Sequence, residues 1–337
     1  MKFDRQLLEE MIRQNYVMRQ KHPDHELYIY NYTQTAQYNR VWNACTLACR
    51  GLILDDKRQV IARPFPKFFN LEEPENATLP DESFKVYEKL DGSLGILYWI
   101  NDRPYIASRG SFTSEQAQTA THLLHTKYSD TIDLLDRNFT YLFEIIYPDN
   151  RIVVDYGDTS QLVMLGKIHT ESGVEAALTS IGFPVVRQYD GLSDLARLRA
   201  MNTQNKEGFV IRFENGHRLK IKFEEYKRLH TIVTMVSTVT IWEYLKDNIP
   251  QDELLNSLPD ELFAWVKART RQLNEEYNEI LAVAKKEYKI LNSRKETALY
   301  FKTCTYPSIL FNLLDGKPVD QTIWKLIKPA YEKPFSK

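Results

Sequence analysis

Only three cysteines, Cys45, Cys49 and Cys304, occur in 337 residues. So sparse and odd a set excludes a disulfide framework and leads us to expect a reduced, cytoplasmic setting. Zinc finds no ligand set either: Cys45 and Cys49 form a single pair, and histidines such as His122 and His125 have no partner pair at zinc spacing. The chain lacks a long uncharged apolar run and a signal-like N-terminus, so no membrane association is expected. Net charge is almost absent, 44 Lys+Arg against 45 Asp+Glu. Any grip on a polyanion must therefore come from a local cluster. Internal repeats, low-complexity linkers and coiled-coil heptads are missing as well.

What is present divides into two textures. With 43% hydrophobic residues, the length suffices for one large domain and a smaller one. Residues 3–20 have the spacing of an amphipathic helix. From residue 27 to 223, short apolar or alternating runs broken by Gly, Pro, Asn and Asp predict strands at 51–54, 60–63, 84–90, 94–100, 105–108, 141–146, 152–156, 162–168, 207–213 and 218–223. Helices are predicted at 114–128, opened by a capping box of Thr113 and Gln116, and at 193–201. Beyond residue 223 apolar residues recur at three- and four-residue steps, with Pro259 in a position that a first helical turn tolerates. The expectation is an α+β protein, with an antiparallel-sheet domain at 1–240 and an all-helical domain at 241–337.

Several predicted strands carry charge where a buried strand should be apolar. In residues 219–223, LKIKF, alternation sends Leu219, Ile221 and Phe223 to the core and Lys220 and Lys222 together to the other face. Two amines on one face repel, so they need either water, as on an edge strand, or a multiply charged anion. Lys89 ends another strand, just before the turn Asp91-Gly92-Ser93, where glycine allows close backbone approach. A lone strand-end lysine reaches water; a lysine near other cations such as Lys220, Lys222 and Arg109 becomes a nucleophile instead. Glu144 and Glu207 each interrupt an apolar strand, suited either to a buried salt bridge or to a metal and ribose hydroxyls.

In order, Lys89-Leu-Asp91-Gly92, Arg109-Gly110, Phe143-Glu144, Glu207-Gly208 and Lys220-Ile221-Lys222 resemble the successive motifs of the covalent nucleotidyltransferases, the polynucleotide ligases and mRNA capping enzymes. One such motif is weak, but five in order are specific. The segments CRGLIL (49–54), ARPFPKFFNLEE (62–73), YPDNRIVV (147–154) and EGFVIRFENGHRLKIK (207–222) are similar to the tRNA-repair RNA ligases of T-even phages, the RNA ligase 1 family, over about residues 35–245.

That resemblance implies an ATP-grasp-like ligase domain and an ATP-dependent RNA ligase. Lys89 would attack the α-phosphate of ATP to form lysyl-AMP; AMP would pass to an RNA 5′-phosphate, and a 3′-hydroxyl would then displace it. By the same resemblance Arg50 and Lys67 contact the leaving pyrophosphate, and Lys220 and Lys222 grip the α-phosphate. Asp91 and Gly92 belong to the nucleotide site. Glu144 holds the ribose or a metal-bound water, Glu207 helps place Mg²⁺ (or Mn²⁺), and Arg109 stands where the family tends to have lysine. Many ligases stack an aromatic on adenine from the strand following Glu144; here that strand is QLVMLGKI (161–168), leaving aliphatic packing, Tyr156 or Phe209 to serve. The helical tail, in place of the small β-barrel of DNA ligases and capping enzymes, favours an RNA ligase. Lys285, Lys286, Lys289, Arg294, Lys295 and Lys302 are candidates there for RNA backbone contacts, or for a solvated face. Implied partners are RNA ends, a broken tRNA among them, and an end-healing kinase or phosphatase. A monomer in the cytoplasm, the host's if a phage encodes it, is expected.

Overall fold

The computed structural model describes residues 4–250 and 260–334, so the expectation for Pro259 lies outside the described residues. The chain forms two compact units, Met1–Lys227 and Arg228–Lys337. The expected boundary at 240 falls inside the helix Thr238–Lys246, whose Ile241 and Trp242 are buried in the core of the second unit.

The described residues of the first unit hold fourteen strands: β1 (Val17–Lys21), β2 (Leu27–Tyr32), β3 (Arg50–Asp55), β4 (Val60–Ala62), β5 (Phe69–Asn70), β6 (Phe84–Lys89), β7 (Ser93–Ile100), β8 (Arg103–Ser108), β9 (Phe139–Ile146), β10 (Gln161–His169), β11 (Glu175–Ala176), β12 (Gln188–Tyr189), β13 (Gly208–Phe213) and β14 (Arg218–Lys222). They form three sheets, ordered β1-β2-β3-β4, β11-β10-β9-β7-β8 and β12-β6-β13-β14-β5. Among the described residues every strand pair is antiparallel except β14 with β5, where Leu219 and Lys220 face Phe69 and Asn70 in parallel. The alternation read in β14 holds: Leu219, Ile221 and the following Phe223 pack with Phe209, Ile211 and Phe213, while Lys220 and Lys222 take the opposite face.

Local chemistry sets several ends differently from the sequence expectations. The N-terminal helix spans Arg5–Arg13, capped by the Asp4 carboxylate, and stops well short of residue 20. Asn15, at a φ of 59°, turns the chain into β1. Ser114, not Thr113, caps the helix Glu115–Thr126, accepting the Ala117 N–H. Asp194 caps a shorter helix, Leu195–Ala200. The strand expected at 152–156 does not form. Its alternation is spent elsewhere: the N–H groups of Val153 and Val154 both donate to Asp91 Oδ2 at 2.8 Å, and that of Asp155 to Asn205.

In the second unit the described residues hold the helices Thr238–Lys246, Asp260–Glu287, Arg294–Phe301, Pro307–Leu314 and Asp320–Leu326, and no strand. Val266, Leu273, Ile280 and Ala284 run down one side of the long helix into a core with Phe301, Ile309, Leu310, Ile323 and Trp324. The Trp242 indole N–H closes this core by donating to the Trp324 carbonyl at 2.7 Å. Lys285, Lys286, Lys289, Arg294, Lys295 and Lys302 are all exposed, and Arg294 pairs with Asp315. No helix among the described residues is long and apolar enough to cross a membrane.

Candidate active site

Between Lys89 and Ser93 the chain crosses from the third sheet to the second. Register does the assembly on both sides of that crossing. Gly208 faces Lys89 across the β13–β6 pair and Lys222 across the β13–β14 pair. Glu207, one residue earlier, is thereby delivered between two amines: Oε2 lies 2.6 Å from Lys89 Nζ and Oε1 2.9 Å from Lys222 Nζ. Gly208 has φ +148°, and a Cβ there would stand 1.9 Å from the Ile221 carbonyl oxygen. On the other side, β7 pairs with β9 so that Leu94 faces Glu144, and Glu144 Oε1 accepts the Gly92 N–H at 2.9 Å.

The turn itself is held by Asp91, only 3% exposed. Its N–H donates to the Tyr156 hydroxyl and its Oδ1 accepts from the Tyr226 hydroxyl at 2.7 Å, while Oδ2 takes the two valine amides. Burial, together with the nearby carboxylates Glu207 and Asp91, pushes the Tyr226 phenol well up, which keeps it a neutral donor. Asp91 was expected to bind nucleotide; its carboxylate is committed to the fold and it does not line the cleft. The braces Tyr156 and Tyr226 carry no sequence signal beyond being tyrosines.

These residues border a cleft of ≈ 570 Å³. Arg50, Lys67, Lys89, Gly92, Arg109, Glu144, Lys220 and Lys222 all line it, so eight of the ten expected site residues converge. Glu207 lies beneath it rather than in it, 3% exposed, with both oxygens occupied by amines. Burial would raise the Glu207 carboxyl, but the charges of Lys89 and Lys222 outweigh that and hold it below its ordinary value. Glu207 is the anion shared by two cations of the cleft.

Lys67 sits among three aromatic rings, Tyr32, Trp42 and Phe69, 5.0–5.4 Å from their centres, and Arg50 lies over Phe68. The exposed Arg109 stands 5.7 Å from the Tyr32 ring centre. Burial first, then the neighbouring charges of Lys67, Lys89, Lys222 and Arg50, push the Lys220 amine down to about 7. Burial likewise pushes the Glu144 carboxyl up to about 7, against the opposing pull of Lys89. So crowded a set of cations is an anion site of high local potential in a chain with almost no net charge.

The rest of the lining is different. Phe65, Tyr87, Leu165, Val186 and Val210 line it, with Arg218 lying 4.3 Å from the Phe65 ring centre and tied to Glu175. Leu165 sits at the β10 bulge opposite β9, so that strand contributes an aliphatic side chain to the lining. Neither Tyr156 nor Phe209 reaches the cleft: the first braces Asp91, and the second is buried against Phe223 and Tyr189. Apolar walls combined with a cluster of cations in one cleft have the polarity that suits a nucleoside polyphosphate.

A cationic nucleotide-sized cleft with a lysine at its wall defines a nucleotidyl-transfer class of site. Residues 48–227, more than half the chain, match the RNA ligase family that includes the T4 RNA ligase 1 type; the chain belongs to that family. A Thermovibrio ammonificans protein named as a candidate RNA ligase is 28% identical over 281 residues, 74% of this chain and 71% of its own. An Autographa californica nuclear polyhedrosis virus protein, named as a candidate bifunctional polynucleotide kinase/RNA ligase, is 27% identical over 75% of this chain. The present chain spans 41% of that viral protein. A Naegleria gruberi RNA ligase variant, solved with ATP and Mn, aligns over 44% of this chain and 52% of its own at 21% identity and TM-score 0.37.

Proposed function

We propose that the protein is an ATP-dependent RNA ligase that joins a 3′-hydroxyl to a 5′-phosphate through lysyl-AMP and RNA-adenylate. The observation that carries the reading is the single cleft in which Lys89, Glu144, Arg50, Lys67, Lys220 and Lys222 meet. In the first step Lys89 Nζ forms a bond to the α-phosphorus of ATP, the bond to the β-bridging oxygen breaks, and pyrophosphate leaves as the amine loses its proton. In the second, an oxygen of the RNA 5′-phosphate attacks that phosphorus and the lysine recovers its amine. In the third, the RNA 3′-hydroxyl attacks the activated 5′-phosphate, and AMP departs. Each is an in-line displacement, so catalysis is positioning and charge neutralisation.

Arg50 and Lys67 suit the leaving pyrophosphate, Lys220 and Lys222 the α-phosphate, and the apolar wall at Leu165 and Tyr87 the base. Arg109, exposed at the rim, suits an outer phosphate. Among the described residues no three His, Cys, Asp or Glu side chains form a metal cluster. Glu88 and Glu175 line the cleft but pair with Lys206 and Arg218. Glu144 forms no ion pair among the described residues, and a lone carboxylate combined with substrate phosphates and water is a usual Mg²⁺ arrangement. Bound there, Mg²⁺ (or Mn²⁺) would neutralise phosphate oxygens. The first unit, residues 1–227, is read as the adenylyltransferase, in the ATP-grasp-like sense, and the second, 228–337, as a helical substrate-recognition domain whose exposed lysines meet RNA backbone. Broken tRNA is a fitting substrate, and the viral relative's name suits partnership with an end-healing kinase.

Intact mass after incubation with ATP and Mg²⁺ tests the proposal. The expected gain is one AMP, absent from Lys89→Ala. An adduct that survives the substitution rejects Lys89 as nucleophile, and no adduct in the wild type rejects the ligase reading.

A further inference from the structure

A second cleft, of ≈ 470 Å³, lies in the first unit between the β1–β2 turn, β7–β8 and the helix Glu115–Thr126. It shares no lining residue with the first cleft, but one helix serves both, since Gln116 lines one and Ala117 and Gln118 the other. Its floor is aromatic: the Tyr98 and Phe112 ring centres are 5.2 Å apart, and the His22 ring lies 4.9 Å from Phe112. Tyr105, half-buried, carries the exposed Arg103 guanidinium 5.6 Å from its ring centre, with the His125 ring 6.2 Å away.

Four of the seven histidines, His22, His25, His122 and His125, meet in this cleft, with Asp24 its one carboxylate. Two of them already use a ring nitrogen: His22 Nδ1 accepts the Asp24 N–H, and His125 Nε2 is 2.9 Å from the Pro104 carbonyl oxygen. The imidazoles therefore do not converge on one point, in keeping with the absence of a metal cluster among the described residues. The floor rings of Tyr98, Phe112 and His22 are buried, but the half-buried Tyr105 ring beside a guanidinium and the exposed imidazoles of His25 and His122 are the chemistry of single-stranded nucleic acid recognition, in which bases stack and cations meet phosphate.

We propose that this cleft seats a nucleotide of the RNA strand whose end occupies the first cleft, its base against Tyr105 and the imidazoles and its phosphate on Arg103 and His25. The inference rests on the RNA-joining reading. A triple variant, His25→Ala, Arg103→Ala and His122→Ala, alters three exposed side chains and tests it. The measurement is fluorescence anisotropy with a 5′-phosphorylated single-stranded RNA, across a salt series. The expected result is about a tenfold weaker Kd and a salt slope reduced by about one. Lysyl-AMP formation with ATP alone, which occurs in the first cleft, reports that the variant is folded. Unchanged RNA affinity overturns the proposal. So does a Zn²⁺-induced rise in melting temperature that the variant abolishes while its RNA affinity stays that of the wild type. Absence of lysyl-AMP in the wild type counts against the ligase reading alone, because the second cleft stands on the affinity difference.

Discussion

Glu207 is buried with Lys89 on one oxygen and Lys222 on the other, at 2.6 and 2.9 Å. One anion thus fixes the positions of two cations in a cluster that would otherwise repel. The substitution Glu207→Gln leaves both amines facing a neutral amide in a half-buried site. A loss of about 3 kcal/mol in unfolding free energy is expected, the low end for breaking a buried pair because both lysines keep some contact with water. Urea denaturation measures it, together with a fall in lysyl-AMP formation of at least tenfold. A variant as stable and active as wild type contradicts the anchoring role.

The Asp91 carboxylate ties the turn after Lys89 to residues 153–154 and to Tyr226. Asp91→Ala strands two amide donors and a phenol, each costing on the order of 1–3 kcal/mol when buried. Tyr226→Phe removes the hydroxyl that donates to Asp91, and loss of that hydrogen bond should cost about 1 kcal/mol. The milder variant is the sharper test. It should lower kcat for lysyl-AMP formation more than it raises KM for ATP, because it loosens the nucleophile's turn without touching the nucleotide. An effect confined to KM would place Tyr226 in binding instead.

Gly92 admits no side chain: a Cβ there would stand 2.6 Å from the Ile145 carbonyl oxygen and 3.1 Å from Glu144 Cγ. Gly92→Ala should push the turn off β9 and break the bond from the Gly92 N–H to Glu144. We expect ATP-dependent adduct formation to fall by more than tenfold with Lys89 still present. A crystal structure of the variant would show whether Glu144 has moved, and unaltered activity would reject the close approach.

Two groups in the cleft titrate near neutrality with opposite consequences. Lys220, pushed down to about 7, carries its charge below that pH and loses it above, so phosphate affinity falls as pH rises through about 7. Glu144, pushed up to about 7, is ionised above that pH and neutral below, so its hold on a cation falls as pH drops through the same range. For the free enzyme kcat/KM should therefore peak near 7 and decline on both sides, approaching tenfold per pH unit at the limits. Bound ATP and Mg²⁺ oppose both shifts, so the kcat profile should be broader. Lys220→Arg should remove the alkaline decline in ATP binding, since a guanidinium stays charged. Stopped-flow adduct formation from pH 6 to 9 checks all three statements.

Much of the site could be read from the chain because its members sit within or at the ends of strands, where a charge breaks an apolar run. Lys89, Glu144, Lys220 and Lys222 stood out in that way, and Arg50 and Lys67 through family resemblance alone. Where reading failed, the cause was a partner distant in sequence. The run 152–156 looks like a strand until Asp91, some sixty residues earlier, accepts its amides. Which two amines Glu207 meets is likewise set by neighbouring strands. Tyr156 and Phe209 were plausible base-stacking residues; the fold turns one toward Asp91 and the other into the core.

Alternating and helical periodicities determined, without coordinates, a strand-rich first part, a helical second part and the split of β14 into a core face and a cationic face, because those patterns depend on near neighbours alone. Tertiary structure decided which charges share a cleft, which are consumed as braces, and that four scattered histidines meet in a second cleft. Those outcomes depend on strand register across pairs such as Gly208 with Lys89 and Lys222, and register is a property of the packed sheet that no local stretch of sequence contains.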